Sequence, residues 1–451
     1  MIESSECKAV EIMEMKSWPV LLLLFLLLAG CARADPISPS TSVSPETFSF
    51  MVFGDPPELA AYQQLTQAFE ARYPQAQVQL IAIPSQADYR TRLAADFTAG
   101  TPADVVLLNY RRYAAYAARG ALEPLEPYLA NSHVISFQDF YPQALAPFTW
   151  RNQLMCIPQN LSSLVVYYNK ELFDQVKLPY PQPGWTWEDF LKSAKALTRD
   201  QDGDGQPDQY GFGMEVSLAR FAPFIWQHGG EITDNDLNPT RLALDWPRSQ
   251  EAIEWLAALQ NQHGIAPGAE QEAAEDSESR FMNGRLGMYL NSRRGVPIYR
   301  QISAQTGGFD WDVAPLPGDR HLASVLHSDG YCMPSGVKNK ALAWQFIEFA
   351  NSTEGQQIVA ATGRSVPSLI SVAESLAFLA PDQKPEHSRS AFLDPLPYIR
   401  PLPVVPTWIE VEEVIDQELK RAFYGQASVE QAIQSAIRLA QPYLGADSDM
   451  P

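Results

Sequence analysis

The chain has 451 residues and a net charge of −20, with 46% hydrophobic and 19% charged residues. That length supports two or three domains with ample cores, and the composition is that of a soluble globular protein. The acidic balance excludes nucleic acid as a partner, because phosphate binding needs basic patches; it suits an exported protein kept soluble by self-repulsion.

Val20 to Ala29 is an apolar run that stops at Gly30-Cys31, with Lys16 and a possible internal start, Met15, in front of it. Residues 1–30 therefore read as a secretion signal, too short to span a bilayer, which takes about 20 apolar residues. Leu28-Ala29-Gly30-Cys31 resembles a bacterial lipobox. That resemblance implies diacylglycerol on the Cys31 thiol, cleavage before it, and a protein held at the outer face of the cytoplasmic membrane or in the periplasm. Two alternatives stand: Ala32-Arg33-Ala34 is an A-x-A site that would release a soluble protein from Asp35, or the run is a buried helix. Residues 31–46, rich in Pro and Ser, form a flexible tether.

Phe48 to Phe53 reads as a buried strand ending at Gly54-Asp55-Pro56-Pro57, with a helix from about Glu58 that buries Leu59, Tyr62, Leu65 and Phe69. Val78–Ile83 and Val105–Leu108 are further strands, and Tyr89–Phe97 between them is helical. This alternation defines an α/β lobe with a mostly parallel sheet, whose ligands bind beyond the carboxyl ends of strands. Gly54-Asp55 and Asn109-Tyr110-Arg111 occupy such ends. Later, Lys340–Ala350 and Val411–Phe423 read as helices, and Ser428 with Gln431 forms a capping box for a last one. Cys156 and Cys332 remain as one pair in an oxidising compartment, either two buried thiols or a disulfide.

Seven segments in order carry a resemblance: Gly100–Val105, Tyr167–Phe173, Gly184–Phe190, His228-Gly229-Gly230, Phe281–Gly284, Trp311–Pro317 and Gly363–Pro367. The chain resembles the extracellular solute-binding proteins of ABC importers, in the cluster similar to maltose-binding protein. The resemblance implies a two-lobed periplasmic-binding-protein-like fold (type II), with discontinuous lobes joined by hinge strands. Lobe 1 would hold residues 47–157 and 331–368, and lobe 2 residues 158–330 and 369–445. Cys156 and Cys332 would then lie near the hinge, where a bridge would pin its strands.

A sugar presents hydroxyls and flat C–H faces, so its site needs aromatic plates and planar polar groups at strand ends or in loops. The candidates are Asp55, Asn109, Tyr110, Trp226, Gln227, Asn291, Arg293, Ser328, Asp329, Arg364 and Trp408, the last in a Pro-rich loop before a helix. Asp200, Asp202, Asp204, Gln206 and Asp208 resemble an EF-hand calcium loop with Gly205 at its sixth position. Gly211 replaces the bidentate glutamate, so the alternatives are a structural calcium site and a solvated turn.

The expected function is capture of a mono- or oligosaccharide or polyol glycoside between closing lobes, with delivery to ABC permease subunits. The receptor is expected to be a monomer, anchored to the membrane through lipid, and to require no cofactor. Arg293, Arg294 and Arg364 raise an alternative ligand, a glycerol phosphate or acidic sugar. A sugar sensor for a signalling receptor is a further reading. Gly-x-Ser-x-Gly, His-Glu-x-x-His and P-loop motifs are absent, which argues against an enzyme.

Overall fold

Aromatic and aliphatic residues dominate β1 (Glu46–Phe53), which a computed structural model places at the heart of a five-stranded sheet. Residues 45–304 and 308–445 are described; the signal segment 1–30 and Cys31 lie outside them. Glu46 already pairs with Ala76, so the strand opens before the expected end of the tether. α1 (Pro56–Arg72) begins two residues earlier than expected, because Pro56 and Pro57 occupy a first turn where no N–H is needed. It packs Tyr62, Leu65 and Phe69 inward and leads to β2 (Ala76–Ile83), parallel to β1 with Phe50 opposite Leu80. α2 (Gln86–Ala99), capped by Ser85, leads to β3 (Val105–Asn109) on the other side of β1. Parallel neighbours need such helical crossovers.

β4 (Cys156–Pro158) sits at the far edge of this sheet. The chain then enters a second sheet through β5 (Leu164–Asn169). There Leu164, Val166 and Tyr168 face one core and Val165 and Tyr167 the other, so the strand is apolar on both faces. α3 (Trp187–Leu197) follows, with the Thr186–Asp189 capping box closed. β6 (Tyr210–Met214), α4 (Leu218–Gln227), β7 (Leu286–Ser292) and β8 (Trp311–Ala314) complete a sheet ordered β8-β5-β7-β6. β9 (Asp329–Cys332) returns to the first sheet, antiparallel between β3 and β4, so that the first sheet runs β2-β1-β3-β9-β4. Cys332 lies opposite Cys156, their Cα atoms 4.4 Å apart, and the two form a disulfide.

Two cores form: the first takes in one face of the second sheet through Tyr167, Tyr289 and Trp311, and the second lies on that sheet's other face. In the first, α5 (Lys340–Ala350) delivers Phe346, whose ring centroid is 4.8 Å from that of Phe50. In the second, Trp187 stacks on Trp255 at 4.2 Å, and α6 (Trp408–Phe423) and α7 (Val429–Ala440) close the layer. Ser428 and Gln431 form the cap of α7. No described helix is long and apolar enough to cross a membrane.

Candidate functional site

Between the two sheets lies a cleft of about 1020 Å³ whose wall is rich in charged and polar side chains. Its first side begins where β1 ends. Asp55 caps α1 by accepting the Glu58 N–H at 3.2 Å, and the Glu58 side chain folds back over Gly54. A Cβ on Gly54 would sit 2.3 Å from Glu58 Oε2, so glycine is what admits this carboxyl. Arg364 Nε lies 2.7 Å from Glu58 Oε2, and the same guanidinium pairs with Asp55. Burial pushes the Glu58 carboxyl up to about 7; Arg364 opposes this, and Asp329 and Asp55 add to it.

Beyond β3, Asn109 donates from Nδ2 to Asp329 Oδ1 at 3.1 Å and accepts Arg111 Nε at 3.2 Å. Arg111 reaches across to pair with Glu412 on α6. On the floor, Ser162 and His327 exchange backbone hydrogen bonds of 2.8 and 2.9 Å. Burial, with Arg220, Arg111 and Arg294 nearby, drives the His327 imidazole well below its usual range, so it is neutral. The opposite side carries Ser217, Arg220, Tyr289, Ser292 and Arg294 with Glu412 and Asp416. Asp416 accepts the Leu218 N–H at 2.5 Å, and burial raises its carboxyl to about 7.

Of the sequence candidates, Asp55, Asn109, Asp329 and Arg364 meet on this wall. The other seven are buried away from it, each for a visible reason. Ser328 Oγ donates to the Asn160 carbonyl, and the Tyr110 hydroxyl accepts the Leu402 N–H. Asn291 donates to the Tyr299 hydroxyl at 2.9 Å. Arg293 is sandwiched between Phe378 and Phe392, 4.1 and 4.6 Å from their centroids; burial above all pushes it down to about 9. Trp226 and Gln227 end α4, about 13 Å along the axis from the turn that faces the cleft. Arg400 covers the Trp226 ring at 4.6 Å, and Gln227 accepts Trp187 Nε1 and donates to Ala323. Trp408 is the first residue of α6 rather than part of a loop, and is fully buried.

Sequence reasoning passed over Glu58, Ser162, Ser217, Arg220 and His327, all of which line the cleft. Only Glu58 left a local signal, an acid at the third position of a helix that directly follows a strand end. Several of these residues carry buried polar atoms with no hydrogen-bond partner among the described residues: Ser162 Oγ, Ser217 Oγ, Arg220 Nε and His327 Nε2.

Away from the cleft, Asp200, Asp202 and Asp208 bring carboxylate oxygens within 4.8 Å of one another, while Asp204 stands outside that group. Asp200 accepts the N–H groups of Gly203 and Gly205, both at positive φ, which closes the turn.

Two lobes around a polar, largely pre-formed cleft define a protein that captures small solutes. Residues 54–357 match the family model described as bacterial extracellular solute-binding protein, and the chain belongs to that family. A mannitol-binding protein of Pseudomonas aeruginosa is 22% identical, over 84% of this chain and 89% of its own length. An erythritol/L-threitol-binding protein of Mycolicibacterium smegmatis is 26% identical over 60% of this chain and 59% of its own. An ABC substrate-binding protein of Listeria monocytogenes, solved with cycloalternan, has a TM-score of 0.79 at 24% identity, covering 88% of this chain and 99% of that one. This likeness shows the two-lobed fold.

Proposed function

We propose that the protein is the solute receptor of an ABC importer and captures a sugar or polyol between its lobes. The carrying observation is the set of unpartnered polar atoms on cleft residues, Ser162 Oγ, Ser217 Oγ, Arg220 Nε and His327 Nε2. A polyhydroxylated solute supplies donors and acceptors that match these cleft groups. Phe53, Tyr289 and Tyr424 provide the apolar surface that Trp226 and Trp408 do not. The relatives named for mannitol and for erythritol support the class.

Groups from both sides of the cleft touch one solute, so binding favours the closed form that the permease reads. The solute leaves unaltered. On this reading the receptor is exported, lipid-anchored through Cys31 and monomeric; the mass of the mature N-terminal peptide tests the anchor, and light scattering tests the oligomeric state. The Asp200–Asp208 turn holds a structural calcium through Asp200, Asp202 and Asp208; a rise in Tm with calcium, reversed by chelator and lost in Asp200→Asn, tests this. For the receptor itself, the test is thermal unfolding against hexoses, polyols, short oligosaccharides and their acidic derivatives. A solute at about 100 times its Kd adds about 2.7 kcal/mol. Ser217→Ala should reduce that gain, and no gain with any hydroxylated solute would overturn the reading.

A further inference from the structure

Three guanidinium groups gather on the cleft wall: Arg90 from α2, and Arg111 and Arg112 from the turn after β3. Arg111 is spent on Glu412 and Asn109. The other two are not ion-paired among the described residues. Arg90 gives Nη2 to the exposed Gln86 side chain at 2.6 Å, and its Nε is buried without a hydrogen-bond partner. Arg112, half-buried, has no side-chain hydrogen bond among the described residues. Burial, then Arg90 and Arg111, push the Arg112 guanidinium down to about 10, and burial and Arg111 lower Arg90; nearby carboxylates offset this only in part.

The facing carboxylates are largely occupied. Glu412 holds Arg111, and Asp416 takes the Leu218 N–H and is pushed up to about 7. Glu412 and the exposed Glu413 offset both guanidinium groups, and Asp329, held by Asn109, offsets Arg90. The arginines that sequence reading assigned to an anion are spent elsewhere: Arg293 between two phenyl rings, Arg294 on Glu278, Arg364 on Asp55 and Glu58. We infer that Arg90 and Arg112 form an anion subsite of the cleft, and that the solute is a sugar or polyol bearing a carboxylate or a phosphate. This rests on the cleft being the site for a hydroxylated solute, and it adds the charge that the solute carries.

Two neighbouring guanidinium forks match the oxygens of one planar or tetrahedral oxyanion, and their weak hydration lowers the cost of closing over it. A neutral solute would leave both cations enclosed and unpaired.

The test uses the mature protein and two sets of probes. In the first, inorganic phosphate at about 10 mM is compared with chloride at equal ionic strength by thermal unfolding. Phosphate should raise Tm in the wild type and in Arg92→Gln, whose arginine pairs with Asp96 on the exposed face of α2, but not in Arg90→Gln or Arg112→Gln. Arg112→Lys should keep part of the effect. In the second, galactose is paired with galacturonate and glucose with glucose 6-phosphate, which separates carboxylate from phosphate. The anionic member should bind about tenfold more tightly at low salt, and Arg112→Gln should erase that ratio. A phosphate effect that is absent, or that survives both substitutions, overturns the inference. Neutral members binding as tightly as anionic ones overturns it too, while the receptor reading stands. Phosphate binding lost in both variants, with no hydroxylated solute bound, would keep the anion site and overturn the receptor reading.

Discussion

Replacing Glu58 by Gln removes one buried titrating group and leaves Arg364 paired with Asp55. In the folded protein the Glu58 carboxyl rises from its usual 4.5 to about 7, with burial as the leading cause. Between those two values the folded state holds a proton that the unfolded chain has released. The stability this contributes is therefore full below about pH 4.5 and is lost as pH rises through 7. At 1.36 kcal/mol per unit, the loss is about 3 kcal/mol, and for about 400 folded residues it lowers Tm by about 4 °C. Glu58→Gln lacks this term. Its stability relative to wild type should climb by about 3 kcal/mol between pH 4.5 and pH 8, read by denaturant unfolding at each pH. Taking the difference cancels every group common to both proteins, including Asp416, which shifts in the same direction. Parallel stability curves, or a wild type that gains on the variant as pH rises, would refute the reasoning.

Reducing or replacing Cys156 and Cys332 frees a loop of 176 residues, which the chain-entropy model values at about 5 kcal/mol; unfolding of Cys156→Ser/Cys332→Ser measures it. Trp226→Ala should cost about 3–5 kcal/mol of stability, because the ring is core, with solute Kd unchanged in calorimetry; a weakened Kd in a folded variant would return Trp226 to the site. The Arg111–Glu412 pair spans the cleft, so a double-mutant cycle of Arg111→Gln and Glu412→Gln should give a coupling of about 1–2 kcal/mol that weakens with salt. A coupling near zero would show that the pair does not hold the two sides together.

The sequence by itself determined the elements and the class. Apolar runs marked β1, β2 and β3, the Gly54-Asp55-Pro56-Pro57 turn marked the end of β1 although α1 already starts within it at Pro56, and the Ser428–Gln431 pair marked α7. These signals are local, set by backbone sterics and by caps that lie within one turn. Asp55 and Asn109 were legible for the same reason, since a strand end is visible in the chain and cleft ligands sit there. The pairing of Cys156 with Cys332 stood open in composition, and the antiparallel register of β4 and β9 decided it. Tertiary structure alone decided which end of a helix reached the cleft. α4 turns Ser217 and Arg220 toward it and sends Trp226 and Gln227 into the core, although all of them stand on one short helix and its cap. It also decided which arginines were free. Arg293, Arg294 and Arg364 are matched by rings and carboxylates distant in sequence, while Arg90 and Arg112 are brought together from separate elements with no such match. Charge compensation depends on distances across the fold, and a linear sequence carries no record of them.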